Sequence, residues 1–158
     1  MPLLSGAMCY IYKKAVVHIL SPAFLLIAKD QHDKQLAKER AEKASVNFAK
    51  SSFYVCSSIW AYSLIKDTNF TPWFFGGKGS VSNCFENAPL TTQVEGLLNY
   101  SLVSMGYHLG DLLEHLFIRE AGNDYWEMTV HHVLTVALFG GMIVQNFIRI
   151  GVLVSFLH

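Results

Sequence analysis

Long apolar segments alternate with short polar ones along this sequence, a pattern typical of a chain that crosses a membrane several times. Four segments are apolar enough to enter a bilayer, whose hydrocarbon core takes about 20 residues of helix to span: 8–28, 51–65, 97–118 and 128–157. The fourth exceeds one straight span and contains Gly140-Gly141, so it predicts either two helices or one long tilted helix. The predicted fold class is therefore all-α, a polytopic transmembrane helical bundle of about four or five membrane helices.

The first apolar segment contains residues that do not suit a simple span. Lys13 and Lys14 lie near its beginning, and Pro22 lies towards its end. Proline removes a helical hydrogen bond, and lysine extends its ammonium group towards water. The segment therefore fits a kinked or interfacial helix as well as a clean span.

Residues 29–50 form a charged segment between the first two apolar ones. They carry six of the twelve Lys and Arg residues, so the positive-inside rule predicts that this helical linker faces the cytoplasm. The loop 66–96 would then lie on the opposite side. We divide the chain into 1–43, an N-terminal membrane or interfacial helix with the charged linker, and 44–158, the rest of the helical domain.

Composition and charge narrow the functional classes. The chain is 52% hydrophobic and 15% charged, against about 25% charged in a typical soluble protein. Twelve basic and twelve acidic residues cancel, so no basic field is present to hold nucleic acid. The three cysteines, at 9, 56 and 84, have spacings that fit neither a disulfide framework nor a zinc site. Membrane lipid, and not nucleic acid, is the expected partner.

Polar side chains recur at helical spacing along the fourth apolar segment. If the helix is continuous, one stripe that would not face lipid holds His131, Thr135, Leu138, Met142, Asn146, Arg149 and Leu153. An arginine at membrane depth costs about 2.5–3.5 kcal/mol on insertion scales, so Arg149 needs a partner, water or a substrate headgroup. The alternative is that Asn146 and Arg149 only bridge helices.

The adjacent pair His131 and His132 is the strongest candidate for chemistry. Neighbouring residues point about 100° apart on a helix, so one ring can contact substrate while another group holds the second. Imidazole, with an ordinary pKa of about 6.5, can take the proton that an amine loses when it attacks a thioester. It can also attack the carbonyl itself and carry the acyl group. Both routes stay open.

A second polar group lies in the third apolar segment. His108, Asp111 and His115 share one helix face by their spacing. Asp111 would orient a catalytic histidine from a neighbouring helix; the alternatives are a metal site or, for Glu114 and His115, a helix end that faces headgroups. These alternatives stay open here, and the predicted site residues include no metal ligand.

The run from His131 to the end of the chain resembles the longevity-assurance motif of ceramide synthases, which lies within the TLC domain. Nine positions are in register without a gap: His131, His132, Thr135, Leu138, Asn146, Arg149, Gly151, Leu153 and His158. A weaker similarity extends upstream to Ala44 through 48–53, Trp73, Pro89 and Asp124-Tyr125.

This resemblance implies an acyl-CoA-dependent sphingoid base N-acyltransferase that makes ceramide or dihydroceramide in the endoplasmic reticulum membrane. It implies no resident cofactor, since acyl-CoA is a co-substrate alongside the sphingoid base. A homo- or heterodimer stays open. We predict two catalytic residues, His131 and His132, and a substrate-binding set of Asn146, Arg149, Asp111, Thr135 and His158.

Several departures from the ceramide synthase pattern keep alternatives open. The family carries two acidic residues after the last histidine, and this sequence ends at His158, so we expect a fragment. Met142-Ile143 replaces Ser-Tyr, the loop before the histidines is acidic where the family's is basic, and Tyr107 and Asp111 resemble the wider TLC group. The alternative is a non-catalytic TLC-type membrane protein that binds, moves or senses lipid. A histidine-box hydroxylase or desaturase ranks last, because it needs several histidine clusters.

Overall fold

The computed structural model describes residues 2–27, 34–88, 94–118, 122 and 124–157. These residues form five α-helices, which we number in chain order: α1 Pro2–Ile27, α2 Lys34–Ile65, α3 Leu97–Phe117, α4 Tyr125–Val144 and α5 Ile148–Leu157. Two short 3₁₀ helices, Trp73–Phe75 and Val81–Phe85, lie between α2 and α3. The all-α membrane bundle expected from the sequence is confirmed. Within the described ranges, α1 (Leu3–Leu26) and α4 are long and apolar enough to cross a membrane.

Side-chain pairs fix the direction in which α1, α2 and α3 run. Ser5 of α1 donates to the carbonyl oxygen of Leu102 near the start of α3, and Lys13 of α1 contacts Asp111 further along α3. These two helices are therefore parallel. The same Asp111 accepts from Lys50 of α2, whereas Ser57, later in α2, bonds to Tyr100, earlier in α3. Hence α2 is antiparallel to α3.

Three glycines allow α1 and α3 to pack closely. A Cβ atom added at Gly6 would lie 2.7 Å from the carbonyl oxygen of Gly106, and one added at Gly110 would lie 3.2 Å from the carbonyl oxygen of Gly6. Small residues four apart on a helix permit this close backbone approach in membrane bundles. This close crossing fixes the distance between α1 and α3, and therefore the position of inward-facing α1 side chains relative to α3.

The charged linker and the second apolar segment form one continuous helix. Residues 34–50 are helical, as expected, and continue without interruption into 51–65 as the 32-residue α2. The first segment is likewise one helix, which begins at Pro2, earlier than the predicted boundary, and has Pro22 inside it.

The fourth apolar segment divides into α4 and α5, the first of the two expected alternatives. The break does not fall at Gly140-Gly141, through which α4 continues, but at 145–147. There Asn146 adopts a left-handed backbone conformation with φ of 59°, which asparagine tolerates better than most residues. The predicted continuous stripe from His131 to Leu153 therefore does not form.

Helix α5 packs into a hydrophobic core at one end of the bundle. Ile148 and Val152 of α5 meet Ala61 and Ile65 of α2 and the first turn of α3, and all four are nearly inaccessible to solvent. This core joins α5 to α2, α3 and the loop after α2. Helix α4 packs against α3.

Candidate functional site

Four charged side chains meet between α1, α2 and α3 and form what we call the lysine–carboxylate cluster: Lys13, Lys50, Asp111 and Glu114. Asp111 accepts from Lys13 Nζ at 3.0 Å through Oδ1 and from Lys50 Nζ at 2.9 Å through Oδ2. Lys13 also donates to Glu114 Oε2 at 2.6 Å. The side chains of Asp111 and Lys13 are 8% and 10% exposed, whereas those of Glu114 and Lys50 are 23% and 29% exposed, so the Lys13–Asp111 pair is the buried centre of the cluster.

The composition of the cluster explains why it can be buried. Two ammonium groups and two carboxylates cancel formally, and each charge has a partner of opposite sign. Removing one member would leave a charge in a low-dielectric environment, which costs several kcal/mol. The charges therefore depend on one another for their burial.

His132 lies against this cluster from α4. Its side chain is buried, and its Nε2 is 3.9 Å from Asp111 Oδ2. This distance is too long for a hydrogen bond but short enough for the carboxylate to stabilise a positive charge on the ring. Its Nδ1 is also buried and has no hydrogen-bond partner within the described part of the chain. The ring thus has one nitrogen beside a carboxylate and one that can accept a proton.

His131 is placed differently from His132. Its ring centroid is 5.6 Å from that of His132 with 63° between the planes, and the residue is exposed on the surface of α4. The two neighbours diverge as helical geometry requires. Thr135 lies one turn further, and its hydroxyl donates to the carbonyl oxygen of His131 at 2.8 Å.

His115, near the end of α3, contacts the start of α4. Its Nε2 lies 3.0 Å from both the Tyr125 carbonyl oxygen and the Thr129 hydroxyl, and its ring stacks on Tyr125. It is therefore buried, which the alternative of a helix end facing headgroups did not expect. Among the described residues, no three His, Cys, Asp or Glu side chains are placed to hold a metal ion.

A polar cavity opens beside His132 and the lysine–carboxylate cluster. Its empty volume is about 1360 Å³, part of which is open to the outside. Its walls come from the polar half of α2, from α1 and α3, and from His132 of α4: Lys13, Glu39, Glu42, Lys43, Val46, Asn47, Lys50, Asp111, Glu114, His115, Ile118 and His132. Such a cavity suits a charged or strongly polar part of a ligand.

An apolar groove lies one helical turn away along α3 and α4. Its empty volume is about 700 Å³, also partly open, and its walls are mainly aromatic and aliphatic: Phe53, Tyr54, Ser57, Tyr100, Ser104, His108, Thr135, Leu138, Phe139, Met142, Gly151, Val154 and Ser155. On α4, His132 lines the polar cavity and Thr135 lines the groove. Three residues of helix correspond to about 4.5 Å, so the two spaces lie near each other along α4.

The remaining predicted site residues lie at the other end of α4. His132 and Val144 are twelve residues apart in α4, about 18 Å along the axis, and Asn146 lies in the turn beyond. Arg149 Nη1 donates to the Asn83 carbonyl oxygen at 3.4 Å, and its guanidinium lies 5.6 Å from the centroid of the Phe70 ring. The structure therefore brings His132, Asp111 and Thr135 towards one site but not Asn146 or Arg149. His158 lies outside the described residues.

The sequence analysis missed Lys13 and Lys50 as members of this site. The sequence pattern marked Lys13 only as a residue that does not suit a simple membrane span, and it marked Lys50 only as part of the charged linker. The signal was nevertheless available for Lys13, because a lysine within an apolar helix needs a partner for the same reason that Arg149 does.

Comparison with known proteins places this arrangement in a family. The model of the TLC domain matches residues 43–158. The chain is 25% identical over 120 residues to ceramide synthase hyl-1 of Caenorhabditis elegans, which covers 75% of this chain and 30% of that protein. It is 28% identical over 107 residues to ceramide synthase 5 of Homo sapiens (68% of this chain, 25% of that protein). It is 33% identical over 106 residues to ceramide synthase 4 of Mus musculus (67% of this chain, 25% of that protein).

The matched segments thus span between a quarter and about a third of the length of these relatives. No solved structure matches the chain significantly. The family model covers well over half of the chain and includes α3, α4 and the charged residues Lys50, Asp111 and His132. Together with the helical bundle, this match establishes that the chain belongs to the TLC domain family.

Proposed function

We propose that this chain carries the acyl-transfer site of a sphingoid base N-acyltransferase that makes ceramide or dihydroceramide from acyl-CoA. One observation carries the proposal: His132 is buried on the wall of the polar cavity, 3.9 Å from the Asp111 carboxylate, and Thr135, three residues further along α4, lines the apolar groove. The similarity to ceramide synthases supports the choice of reaction.

The two spaces correspond to the two kinds of surface that the substrates present. An acyl-CoA combines a hydrocarbon tail with a charged carrier, and a sphingoid base combines a hydrocarbon tail with an amine and hydroxyl groups. We place a hydrocarbon tail in the groove, where Thr135 and Phe139 lie on its wall, and the polar groups in the cavity beside Lys50. The thioester then lies near His132, on the wall of the polar cavity.

His132 acts as the base in this scheme. The neutral amine nitrogen attacks the thioester carbonyl carbon, and the His132 ring accepts the proton that this nitrogen loses. The C–S bond then breaks, and the proton passes to the departing sulfur, so the products are an amide and free CoA. The Asp111 carboxylate stabilises the transient imidazolium, and a positioned base of this kind contributes about 10²–10⁴-fold to rate.

His131 remains part of the proposal as the second catalytic histidine. Its ring is 5.6 Å from that of His132 and exposed, so it can contact a substrate that approaches along the outer face of α4. The endoplasmic reticulum location expected from the resemblance also belongs to the proposal, and fractionation of cells that express the full-length protein tests it.

The test is an acyl-transfer assay on membranes that contain the full-length protein. Labelled sphingoid base and a panel of acyl-CoAs are supplied to wild type, His132→Ala and His131→Ala. We expect product from wild type, a loss of at least about 100-fold for His132→Ala, and a loss for His131→Ala as well. Val130→Ala is the control on the same helix, because the Val130 side chain is exposed and lines neither space.

The outcomes separate the components of the proposal. Wild-type product formation by His132→Ala would remove this residue from the mechanism, and unchanged turnover by His131→Ala would leave His132 as the single catalytic histidine. If wild-type membranes bind sphingoid base or acyl-CoA but form no amide with any pair, the second candidate holds, a membrane protein that binds lipid without chemistry. The exposed position of His131, away from both cavities, favours this second candidate.

A further inference from the structure

Lys13 is buried in the middle of an apolar helix, although its neighbour Lys14 is not. Lys13 is 8% exposed and makes two ion pairs, with Asp111 and Glu114. Lys14 is exposed, with its ammonium 5.4 Å from the centre of the Tyr10 ring. The two lysines thus differ in environment while sharing helix, charge and length.

The contacts of Asp111 are divided between its two oxygens. Oδ1 accepts from Lys13, while Oδ2 accepts from Lys50 and is the oxygen that lies 3.9 Å from His132 Nε2. The terminal torsion of an aspartate is broad and is not fixed by its own rotamer preference. The orientation of the carboxylate therefore depends on both lysines, and Lys13 is the one that holds Oδ1.

The close packing of α1 on α3 fixes the α1 backbone, so that Lys13 can hold the Asp111 carboxylate in one orientation. Gly6, at the close crossing with Gly106 and Gly110, is seven residues before Lys13, two turns of helix on the same face. Lys13 therefore reaches Asp111 from a backbone whose distance to α3 is fixed. Helix α1 precedes the residues 43–158 that the TLC domain model matches.

We infer that Lys13 of α1 is a positioning residue of the acyl-transfer site, which holds the Asp111 carboxylate so that Oδ2 faces His132. The inference rests on the proposed function for its effect on turnover. Helix α1, which precedes the residues matched by the TLC domain model, is then part of the site, because it supplies the ammonium group that orients the Asp111 carboxylate. Lys13 lies on the wall of the polar cavity, but in this scheme it acts through Asp111 and not by binding the substrate.

The first experiment measures steady-state kinetics in membranes containing the full-length protein. Lys13→Met leaves Glu114 without its cation, so the main variant is Lys13→Met combined with Glu114→Gln, compared with Glu114→Gln alone. A displacement of a catalytic group by about 1 Å can cost about 100-fold in rate. We expect the double variant to lose kcat by roughly this factor while KM for acyl-CoA stays near that of Glu114→Gln. Lys13→Arg should recover much of the lost kcat, and Lys14→Met should match wild type.

The second experiment does not need turnover. The protein is labelled with ¹⁵N-histidine, the ring signals of His132 are assigned by their loss in His132→Gln, and their shifts are compared among the variants. The double variant should move the His132 signals, Lys13→Arg should return them towards wild type, and Lys14→Met should leave them in place.

The two measurements distinguish failure of this inference from failure of the proposed function. If wild type forms no amide but the His132 signals move as described, the function fails and the positioning role stands. If the double variant leaves kcat and the His132 signals unchanged relative to Glu114→Gln, the positioning role is wrong. A lower yield of folded protein with normal kcat per folded molecule would also contradict it, because that result is expected from a purely structural lysine.

Discussion

Two regions of this protein place positive charge among apolar helices, and they accommodate it in different ways. In the lysine–carboxylate cluster, Lys13 and Lys50 are matched by two carboxylates from a third helix. At the start of α5, Arg149 instead meets a loop carbonyl oxygen and an aromatic ring. The first arrangement depends on three separate helices, whereas the second joins α5 to the loop between α2 and α3. A charged residue in an apolar segment therefore needs a partner, and the nature of that partner determines the role of the residue.

The largest effect should follow from removing the shared carboxylate of the cluster. Asp111→Asn breaks the buried pair with Lys13 and also removes the carboxylate that Lys50 contacts, and breaking a buried pair costs about 3 kcal/mol or more of the free energy of unfolding. Thermal unfolding of the detergent-solubilised protein measures it. Lys78→Met is the matched control, since its pair with Asp67 is 69% and 65% exposed and should contribute about 1 kcal/mol or less. Equal losses in the two variants would refute the distinction between buried and exposed pairs.

A smaller effect is expected when α1 is forced away from α3. In Gly6→Ile the new side chain meets the Gly106 backbone carbonyl, and overpacking of this kind costs about 1–3 kcal/mol. Because α1 carries Lys13, acyl transfer per folded molecule should fall as well. Gly141→Ile serves as control, since a Cβ there meets nothing within 4 Å. Loss of stability in both variants would show that the α1–α3 crossing is not the sensitive feature.

The smallest effect is expected at the other end of the bundle. Arg149→Leu loses one 3.4 Å hydrogen bond to Asn83 and the contact with the Phe70 ring, together about 1 kcal/mol of stability. Acyl transfer per folded molecule should change far less than in His132→Ala. A loss of kcat as large as that of His132→Ala would instead place Arg149 at the reacting centre, as the sequence stripe predicted.

The sequence predicted the parts of the fold that depend on local pattern. Apolar segments of the right length predicted the helices, and the length of the fourth segment predicted that a break was one of two outcomes. It did not predict where the break falls, because Gly140-Gly141 has no steric need to leave the helix, whereas Asn146 adopts a positive φ. The glycines matter where a second backbone approaches closely, as at Gly6, and that depends on which helices become neighbours.

The candidate site was predicted in part for the same reason. Spacing placed Asp111 and His115 on one face of α3 and suggested a histidine of another helix as partner, and His132 does lie beside Asp111. Spacing could not show that Lys13, nearly a hundred residues earlier, would share that carboxylate. The stripe through Asn146 and Arg149 required a continuous helix, and no local signal contradicted that assumption except the asparagine itself.

The continuity of α2 has a consequence for how motion passes through the bundle. Its 32 residues correspond to about 48 Å of helix. This one helix carries Lys50, which contacts Asp111, and also Ala61 and Ile65, which belong to the core around α5. A shift of α2 at that core therefore displaces Lys50 relative to Asp111, so repacking at one end of the helix is transmitted mechanically to the charges at the other.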